Sequence, residues 1–178
     1  MQQKDDNNAW MLPIAAFEWI EKNIPMNSTI LEFGSGLGTE RLSENYCLYS
    51  VEHNPEWVWR YQSNYIYAPI VLYPQGSGMK GVGWYNPEII FSSLPKEDFA
   101  LIILDGPPNA IGRWGILDHL HILERSKFLL IDDLHRTTDF ELSQEISRKM
   151  GFRCIHLSKT IIGTSERHFG IFERVGNE

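Results

Sequence analysis

The sequence predicts an α/β fold in which helices cover both faces of a mostly parallel sheet. Strand-like and helix-like segments alternate along most of the chain, which is typical of such sheets. The segment Phe99–Leu104 is almost wholly apolar, which indicates a strand buried on both faces. A glycine-rich turn at residues 34–38 directly follows the first strand. These features predict a three-layer sandwich whose ligands bind beyond the carboxyl ends of the strands.

The elements follow from hydrophobic spacing and from the positions of Gly and Pro. We expect a single domain over residues 1–178, with a loose tail at 1–8 and an N-terminal helix at 9–24. Strands are predicted at Thr29–Phe33, 47–51, 67–73, Phe99–Leu104, 127–131, 152–157 and 168–174. Helices are predicted at 39–45, 55–64, 87–94, 114–124 and 138–150, the last one capped by Gly151. The last two strands are expected to form an antiparallel pair.

Composition restricts the partners and the location. Sixteen Lys and Arg stand against 23 Asp and Glu, a net charge of -7, so no nucleic-acid partner is expected. The polar, acidic N-terminus is unlike a secretory signal, and no apolar run is long enough for a membrane span, so we expect a cytoplasmic protein without membrane contact. Cys47 and Cys154 are predicted to be buried free thiols. The amphipathic N-terminal helix fits either a cover over the site or a homodimer contact.

The turn after the first strand carries the most informative motif. It reads Glu32-Phe33-Gly34-Ser35-Gly36-Leu37-Gly38. Glycines at such a turn let the backbone approach a ligand closely. Thr39 stands where a dinucleotide-binding fingerprint would have its third glycine. Glu32 would repel a pyrophosphate and attract an ammonium group, and S-adenosylmethionine carries an ammonium group and no phosphate. A tight turn without any ligand is the alternative interpretation.

A second acidic residue ends the second strand. Glu52 lies 18 residues after Gly34, where a carboxylate can accept hydrogen bonds from both hydroxyls of a ribose. His53 follows it and is expected to pack near that ribose. A solvated strand end is the alternative for Glu52. An acid, three alternate glycines and a second acid at this distance together favour a nucleoside site.

With these motifs the chain resembles the class I S-adenosylmethionine-dependent methyltransferases, which have a Rossmann-like fold. The runs around Glu32 and Glu52 are similar to a small, poorly characterised subgroup. The resemblance implies a seven-stranded sheet with an antiparallel last strand and S-adenosylmethionine as methyl donor. The cofactor-binding residues it implies are Glu32, Gly34, Ser35, Gly36, Gly38, Glu52, His53 and Asp105.

Carboxylates also follow the fourth and fifth predicted strands, at Asp105 and at Asp132 with Asp133. Oxygen ligands suit a hard cation such as Mg²⁺, which would orient an acceptor hydroxyl and lower its pKa. These positions look like those of the metal-dependent O-methyltransferases of the catechol type. The sequence departs from that type at residues 106–108, and its Asp-Gly-Pro is similar to methyltransferases that act on plant cell-wall glucuronate. Alternatively, Asp105 hydrogen-bonds the turn and one of the pair caps the next helix.

The catalytic candidates are Asp105, Asp132 and His135, the last as general base because its pKa lies near neutrality. A solvated loop histidine is the alternative for His135. Arg113 suits either a substrate carboxylate or phosphate, or a surface ion pair. Trp84 and Tyr85 suit either an acceptor pocket or local packing.

The leading hypothesis is an S-adenosylmethionine-dependent O-methyltransferase that acts on a small hydroxylated molecule or a sugar. Two other hypotheses stay open at this stage. An NAD(P)-dependent oxidoreductase is disfavoured by Thr39 and Glu32, which do not suit a dinucleotide pyrophosphate. A non-catalytic binding module with the same fold is disfavoured by the intact Asp105 and Asp132.

Overall fold

A computed structural model describes residues 11–162 and 165–175 of the chain. Over these residues the α-helices are α1 (Ile14–Asn23), α2 (Leu37–Ser43), α3 (Pro87–Ser93) and α4 (Thr137–Met150). The strands are β1 (Thr29–Phe33), β2 (Cys47–Glu52), β3 (Asn64–Tyr67), β4 (Ile70–Leu72), β5 (Gly83–Tyr85), β6 (Phe99–Leu104), β7 (Ser126–Ile131), β8 (Phe152–Ile162) and β9 (Ser165–Arg174). Within the described ranges, every helix is too short or too polar to cross a bilayer.

Seven strands form one sheet in the order β3-β2-β1-β6-β7-β9-β8. Its neighbours pair in parallel, except that β9 runs antiparallel to both β7 and β8. This confirms the predicted α/β fold with a mostly parallel sheet and an antiparallel C-terminal strand. Leu104 pairs with Phe33 on one side and with Ile131 on the other, so β1, β6 and β7 end side by side.

Both faces of the sheet are buried, and β6 shows why its sequence is so apolar. Leu101 and Ile103 belong to the core under α1, together with Phe17 of that helix. Ile102 and Leu104 belong to the core on the opposite face. Successive side chains of a strand point to opposite faces, so a central strand covered on both faces needs apolar residues throughout. The core therefore fixes the strand ends that form the site.

The third predicted strand, 67–73, is divided in the structure. Its beginning belongs to β3, which joins the main sheet, whereas β4 pairs antiparallel with β5 in a separate two-stranded sheet. Pro69 lies between the two pieces and has no N–H to donate to a continuous ladder. The change matters for the site because β5 brings Tyr85 to it.

The predicted helix at 55–64 was wrong, because the structure has turns and bends there. Trp59 has φ = 65°, a left-handed conformation that interrupts a right-handed helix. Aromatic and cationic side chains in this segment stack on one another, with the Arg60 guanidinium 4.6 Å from the Trp57 ring centroid. In place of the predicted helix, this segment is a series of turns whose side chains stack on one another.

Other predictions differ from the structure in their boundaries. α1 begins at Ile14, after Pro13, and residues 1–10, including the predicted tail, lie outside the described ranges. The segment Trp114–Arg125 is a 3-10 helix with a kink at His119. Gly151 caps α4 at φ = 69°, as predicted.

Both last strands are longer than predicted. Cys47 and Cys154 are free but exposed, so their predicted burial was wrong.

Candidate functional site

A cavity of about 520 Å³ opens where β1, β2, β6 and β7 end. Its lining includes Gly34, Ser35, Glu52, His53 and Asp105, five residues predicted from the sequence to bind a cofactor. The charged and aromatic groups that complete the wall are Trp57, Tyr85, Arg113, Asp133, Arg136 and Arg167. The sheet therefore brings residues from both ends of the sequence to one cavity.

Two glycine turns meet on the wall of this cavity. Gly34 has φ = 89°, and its N–H donates to the carbonyl of Val51 at 2.9 Å. A Cβ on Gly34 would lie 3.0 Å from Cα and from N of Gly106. A side chain at either position would separate the turn after β1 from the turn after β6. The glycines are needed here for this close approach of two backbones.

Glu32 lies beneath the turn after β1 and is 4% exposed. Thr39 Oγ1 accepts a hydrogen bond from the Gly36 amide at 3.0 Å and donates to Glu32 Oε1 at 2.8 Å. Ser50 Oγ lies 2.5 Å from the same oxygen and donates to it. Burial raises the pKa of Glu32 to about 7, although the hydrogen bonds from Ser50 and Thr39 act in the opposite direction. The network ties the turn to both β1 and β2.

Glu32, Gly36 and Gly38 lie outside the cavity lining formed by the described residues. A Cβ on Gly38 would lie 3.3 Å from Cζ of Phe17, so this glycine serves the packing of α1 on α2. Direct contact of these three residues with a cofactor stays a prediction. In the structure Glu32 and Gly36 are joined through Thr39, which occupies the position of a third glycine, and Gly38 allows the packing of α1 on α2.

Glu52 is fixed in an ionised form at the end of β2. Its Oε2 accepts from the Ser35 amide at 2.9 Å and from the Ser35 hydroxyl at 3.1 Å. Its Oε1 accepts from the amides of His53 and Asn54 at 2.7 and 2.8 Å. Burial alone would raise the pKa of Glu52, but hydrogen bonds from His53, Asn54 and Ser35 lower it below its usual value overall. The carboxylate is thus held in a defined orientation at the cavity wall.

The three predicted metal ligands do come together. Asp105 and Asp132 follow the paired residues Leu104 and Ile131, so they are neighbours where β6 and β7 end. Asp105, Asp132 and Asp133 each place a carboxylate oxygen within 4.8 Å of the others. Asp132 is fully buried and outside the cavity lining, whereas Asp105 and Asp133 form part of it.

Arg113 is the buried partner of these carboxylates. Its side chain is 2% exposed and donates to the carbonyl oxygens of Asp105 and Asp132 at 2.7 and 2.9 Å. It also forms ion pairs with Asp133 at 2.9 Å and with Asp105 at 3.3 Å. Arg113 therefore joins the ends of β6 and β7. Of its two predicted roles, the structure shows the ion pair, but the pair is buried and not at the surface.

Two more arginines contact the same carboxylates. Arg136 Nη1 lies 2.6 Å from Asp133 Oδ2, and the Arg136 side chain is 33% exposed. Arg167 pairs with Asp132 and donates from Nη1 to the carbonyl of Met11 at 2.8 Å. We call the following seven residues the carboxylate–arginine cluster: Asp105, Asp132, Asp133, Asp139, Arg113, Arg136 and Arg167. Asp139 belongs to it through Arg113, at 3.7 Å.

Burial and mutual repulsion change the protonation of the cluster. The pKa of Asp132 is raised to about 6, mainly by burial and also by the charge of the neighbouring Asp133, while Arg167 opposes the shift. Burial and the charge of Asp132 raise the pKa of Asp105 well above its usual value, against the effect of Arg113. Asp105 is therefore protonated more readily than an exposed aspartate.

The remaining candidates divide between the cavity and its surroundings. His135 is exposed, lies outside the cavity lining of the described residues, and faces His168 with ring centroids 6.3 Å apart. Its role as general base stays a prediction that this position does not favour. Trp84 packs on Phe33, whereas Tyr85 lines the cavity, fully buried.

The Tyr85 hydroxyl has no hydrogen-bond partner among the described residues. A buried hydroxyl without a partner is uncommon, because leaving it unpaired costs free energy. Burial raises the pKa of Tyr85 well above its usual value, so the hydroxyl keeps its proton and is a hydrogen-bond donor. Tyr85 thus presents an unused donor at the wall of the cavity.

Sequence reasoning gave no role to Arg136 or Arg167. Because β9 runs antiparallel, its beginning lies at the edge where the parallel strands end, which brings Arg167 to the cavity. The antiparallel last strand was the available signal, but the prediction began that strand at residue 168. Arg136 lies three residues after Asp133 in the sequence, but spacing alone does not show which carboxylate it pairs with.

Solved structures share this fold at low sequence identity. A Pyrococcus horikoshii protein described as an RNA methyltransferase matches with a TM-score of 0.59 and 13% identity, over 99% of this chain and 90% of that one. N-methyltransferase NodS from Bradyrhizobium japonicum matches with a TM-score of 0.57 and 12% identity, over 90% and 94%. Magnesium protoporphyrin IX methyltransferase from Synechocystis, solved with bound S-adenosylmethionine, matches with a TM-score of 0.53 and 11% identity, over 91% and 76%.

These likenesses show the Rossmann-like methyltransferase fold. No protein-family model matches the chain, and no curated protein matches it.

Proposed function

We propose that the protein is an S-adenosylmethionine-dependent methyltransferase. The observation that carries the proposal is the ionised Glu52, fixed by three backbone amides beside the Gly34 turn, in one cavity with acidic and basic groups. The methyltransferase fold of the structural neighbours supports it, and one of them holds S-adenosylmethionine. A fold alone does not define a function, so the site has to carry the argument.

On this proposal the two ends of the cavity have different tasks. Glu52 accepts hydrogen bonds from the ribose hydroxyls, and Ser35 Oγ, which now donates to Glu52, is displaced or rotates. Gly34 lets the nucleoside approach the backbone closely. The acceptor occupies the opposite end, near Asp105 and Asp133. This division follows the order of the strands, since β2 and β1 lie on one side of β6, and β7 lies on the other.

The acceptor that we propose is a small hydroxylated molecule or a sugar. When bound, S-adenosylmethionine supplies an activated methyl group: the acceptor oxygen forms a bond to the methyl carbon as the bond from carbon to sulfur breaks. The hydroxyl proton needs an acceptor, and Asp105 is the carboxyl on the cavity wall whose raised pKa suits this task. A cationic sulfonium nearby favours the ionised form of Asp105, which can then accept that proton.

Nucleic acid is the competing acceptor, because one neighbour is described as an RNA methyltransferase. The net charge of -7 opposes binding of a polyanion, which needs many unpaired cationic side chains. In the carboxylate–arginine cluster, four carboxylates already face three guanidinium groups. We therefore keep the small acceptor as the proposal.

The sequence also predicts that Asp105, Asp132 and Asp133 bind Mg²⁺. The groups that surround these carboxylates do not suit a divalent cation. The three carboxylates are grouped closely enough for a cation. However, Arg113 and Arg136 contact Asp133, and Arg167 pairs with Asp132, so positive charge already occupies the surroundings of these oxygens. A divalent cation would be repelled by guanidinium groups at this range. We derive no step through a metal, and we expect the same methylation rate in excess EDTA as in added Mg²⁺.

Calorimetric titration with S-adenosylhomocysteine tests the proposed function. We expect one site per chain in the wild type, and for Glu52→Ala an affinity weakened by about 1–3 kcal/mol, from the loss of charge-assisted hydrogen bonds. Glu97→Ala is the matched control, because Glu97 is an exposed acid outside the cavity lining. Absence of binding to the folded wild type, or binding of NADH at the same site, would contradict the proposal.

A further inference from the structure

The acceptor end of the cavity is cationic on its surface, and this deepens the proposed function, on which the inference rests. Arg136 follows β7, and Arg167 lies at the beginning of β9, the next strand of the sheet. Both line the cavity. Glu52, the last residue of β2, lies at the other end. The cavity therefore has an acidic end, proposed for the nucleoside, and an end with two arginines, proposed for the acceptor.

The two guanidinium groups are held close together by one carboxylate. Arg136 Nη1 contacts Oδ2 of Asp133 at 2.6 Å, and Arg167 Nη2 lies 3.8 Å from Oδ1 of the same residue. Asp133 is 5% exposed and has φ = 63°, a left-handed conformation that aspartate adopts more readily than most residues. The pair of arginines is thus positioned before any ligand arrives.

Donor groups remain available on Arg136, whereas both terminal nitrogens of Arg167 already have partners. In the described part of the chain, the ion pairs of Arg136 use Nη1 alone, which leaves Nε and Nη2 for a ligand. Arg113, in contrast, has partners for Nε, Nη1 and Nη2 and is 2% exposed, so it has no such capacity. A planar guanidinium with two free donors suits the two oxygens of a carboxylate or a phosphate.

One further feature favours an anion here. The 14-residue helix α4 begins immediately after Arg136, and the N-terminus of a helix carries partial positive charge.

We propose that the acceptor is a small molecule with an anionic group, a carboxylate or a phosphate. Arg136 binds this group, and the neighbouring Arg167 adds positive charge beside it. The hydroxyl to be methylated would lie on the same molecule, between this anionic group and the cofactor end. A fixed anchor of this kind places the attacking oxygen and thereby contributes to the rate.

The test uses the full chain saturated with S-adenosylhomocysteine, and calorimetry with small probes. Benzoate and inorganic phosphate represent the two anionic groups, and benzamide is the neutral equivalent of benzoate. We expect at least one anion to bind at least tenfold more tightly than benzamide. Arg136→Gln should weaken anion binding at least tenfold, and Arg136→Lys should weaken it less. Arg148→Gln is the control, because Arg148 lies on α4 at its far end and pairs with Glu145.

The following results would overturn the proposed anionic acceptor or the proposed function. Equal binding of benzoate, phosphate and benzamide, or anion binding that is unchanged in both Arg136 variants, would overturn the proposal. A 12-nucleotide RNA that bound through Arg136 more tightly than either anion would also overturn it, in favour of a nucleic-acid acceptor. If S-adenosylhomocysteine itself does not bind, the proposed function fails first; if it binds and the anions do not, only this inference fails.

Discussion

Replacing the buried Glu32 by glutamine should stabilise the protein, and the gain should grow with pH. Glu32 has an ordinary pKa of 4.5, and burial raises it to about 7 in the folded chain. Between these pH values the folded state binds more protons than the unfolded state, so the free energy of unfolding falls as pH rises. At about 1.4 kcal/mol per pH unit, the ionisation of Glu32 costs the folded protein about 3 kcal/mol by pH 8.

Glutamine is neutral at every pH and keeps an oxygen that can accept from Thr39 and Ser50. We expect the difference in unfolding free energy between Glu32→Gln and the wild type to rise by about 3 kcal/mol from pH 4 to pH 8. Asp105 and Asp132 also have raised pKa values, but they titrate alike in both proteins and cancel in the difference.

Urea denaturation at pH 4, 5, 6, 7 and 8, followed by tryptophan fluorescence, measures this difference. Glu97→Gln, at an exposed position, should show a flat difference over the same range. A flat difference for Glu32→Gln would refute the assignment of a destabilising buried charge. The affinity of Glu32→Gln for S-adenosylhomocysteine distinguishes two roles of Glu32. An affinity within about threefold of wild type fits a residue that shapes the turn. A larger loss fits direct contact of Glu32 with the ammonium group.

Two further predictions concern the cavity wall. Tyr85→Phe removes a buried hydroxyl without a partner, so the free energy of unfolding should stay the same or rise by about 1 kcal/mol in urea denaturation; a clear loss would mean that the hydroxyl has a partner in the free protein. Arg113→Met leaves Asp133 buried beside fewer cations and should lower the free energy of unfolding by about 3–5 kcal/mol. Adding Asp133→Asn to Arg113→Met should recover part of that loss, and a purely additive double variant would contradict the pairing.

Hydrophobic pattern and glycine spacing were sufficient to predict the layers and the meeting of Gly34 and Glu52 at one cavity. The apolar segment Phe99–Leu104 is β6, buried on both faces as predicted. Gly34 and Glu52 are at adjacent strand ends because β1 and β2 are sequential and parallel, so their proximity follows from local connectivity. Where aromatic stacking or a proline competes with periodicity, as at Trp59 and Pro69, the same reasoning was wrong about the local structure.

The sequence by itself determined the sheet, its antiparallel last strand and which carboxylates meet at the strand ends, because regular backbone pairing places them there. Only the tertiary structure decided what those carboxylates bind. Arg167 reaches Asp132 from 35 residues away along the chain, through an antiparallel strand whose start was predicted too late. The surroundings also give the two acids near the Gly34 turn different protonation: amide donors keep Glu52 ionised, while desolvation makes Glu32 readily protonated. Such effects depend on distances and solvent exclusion, which residue spacing does not contain.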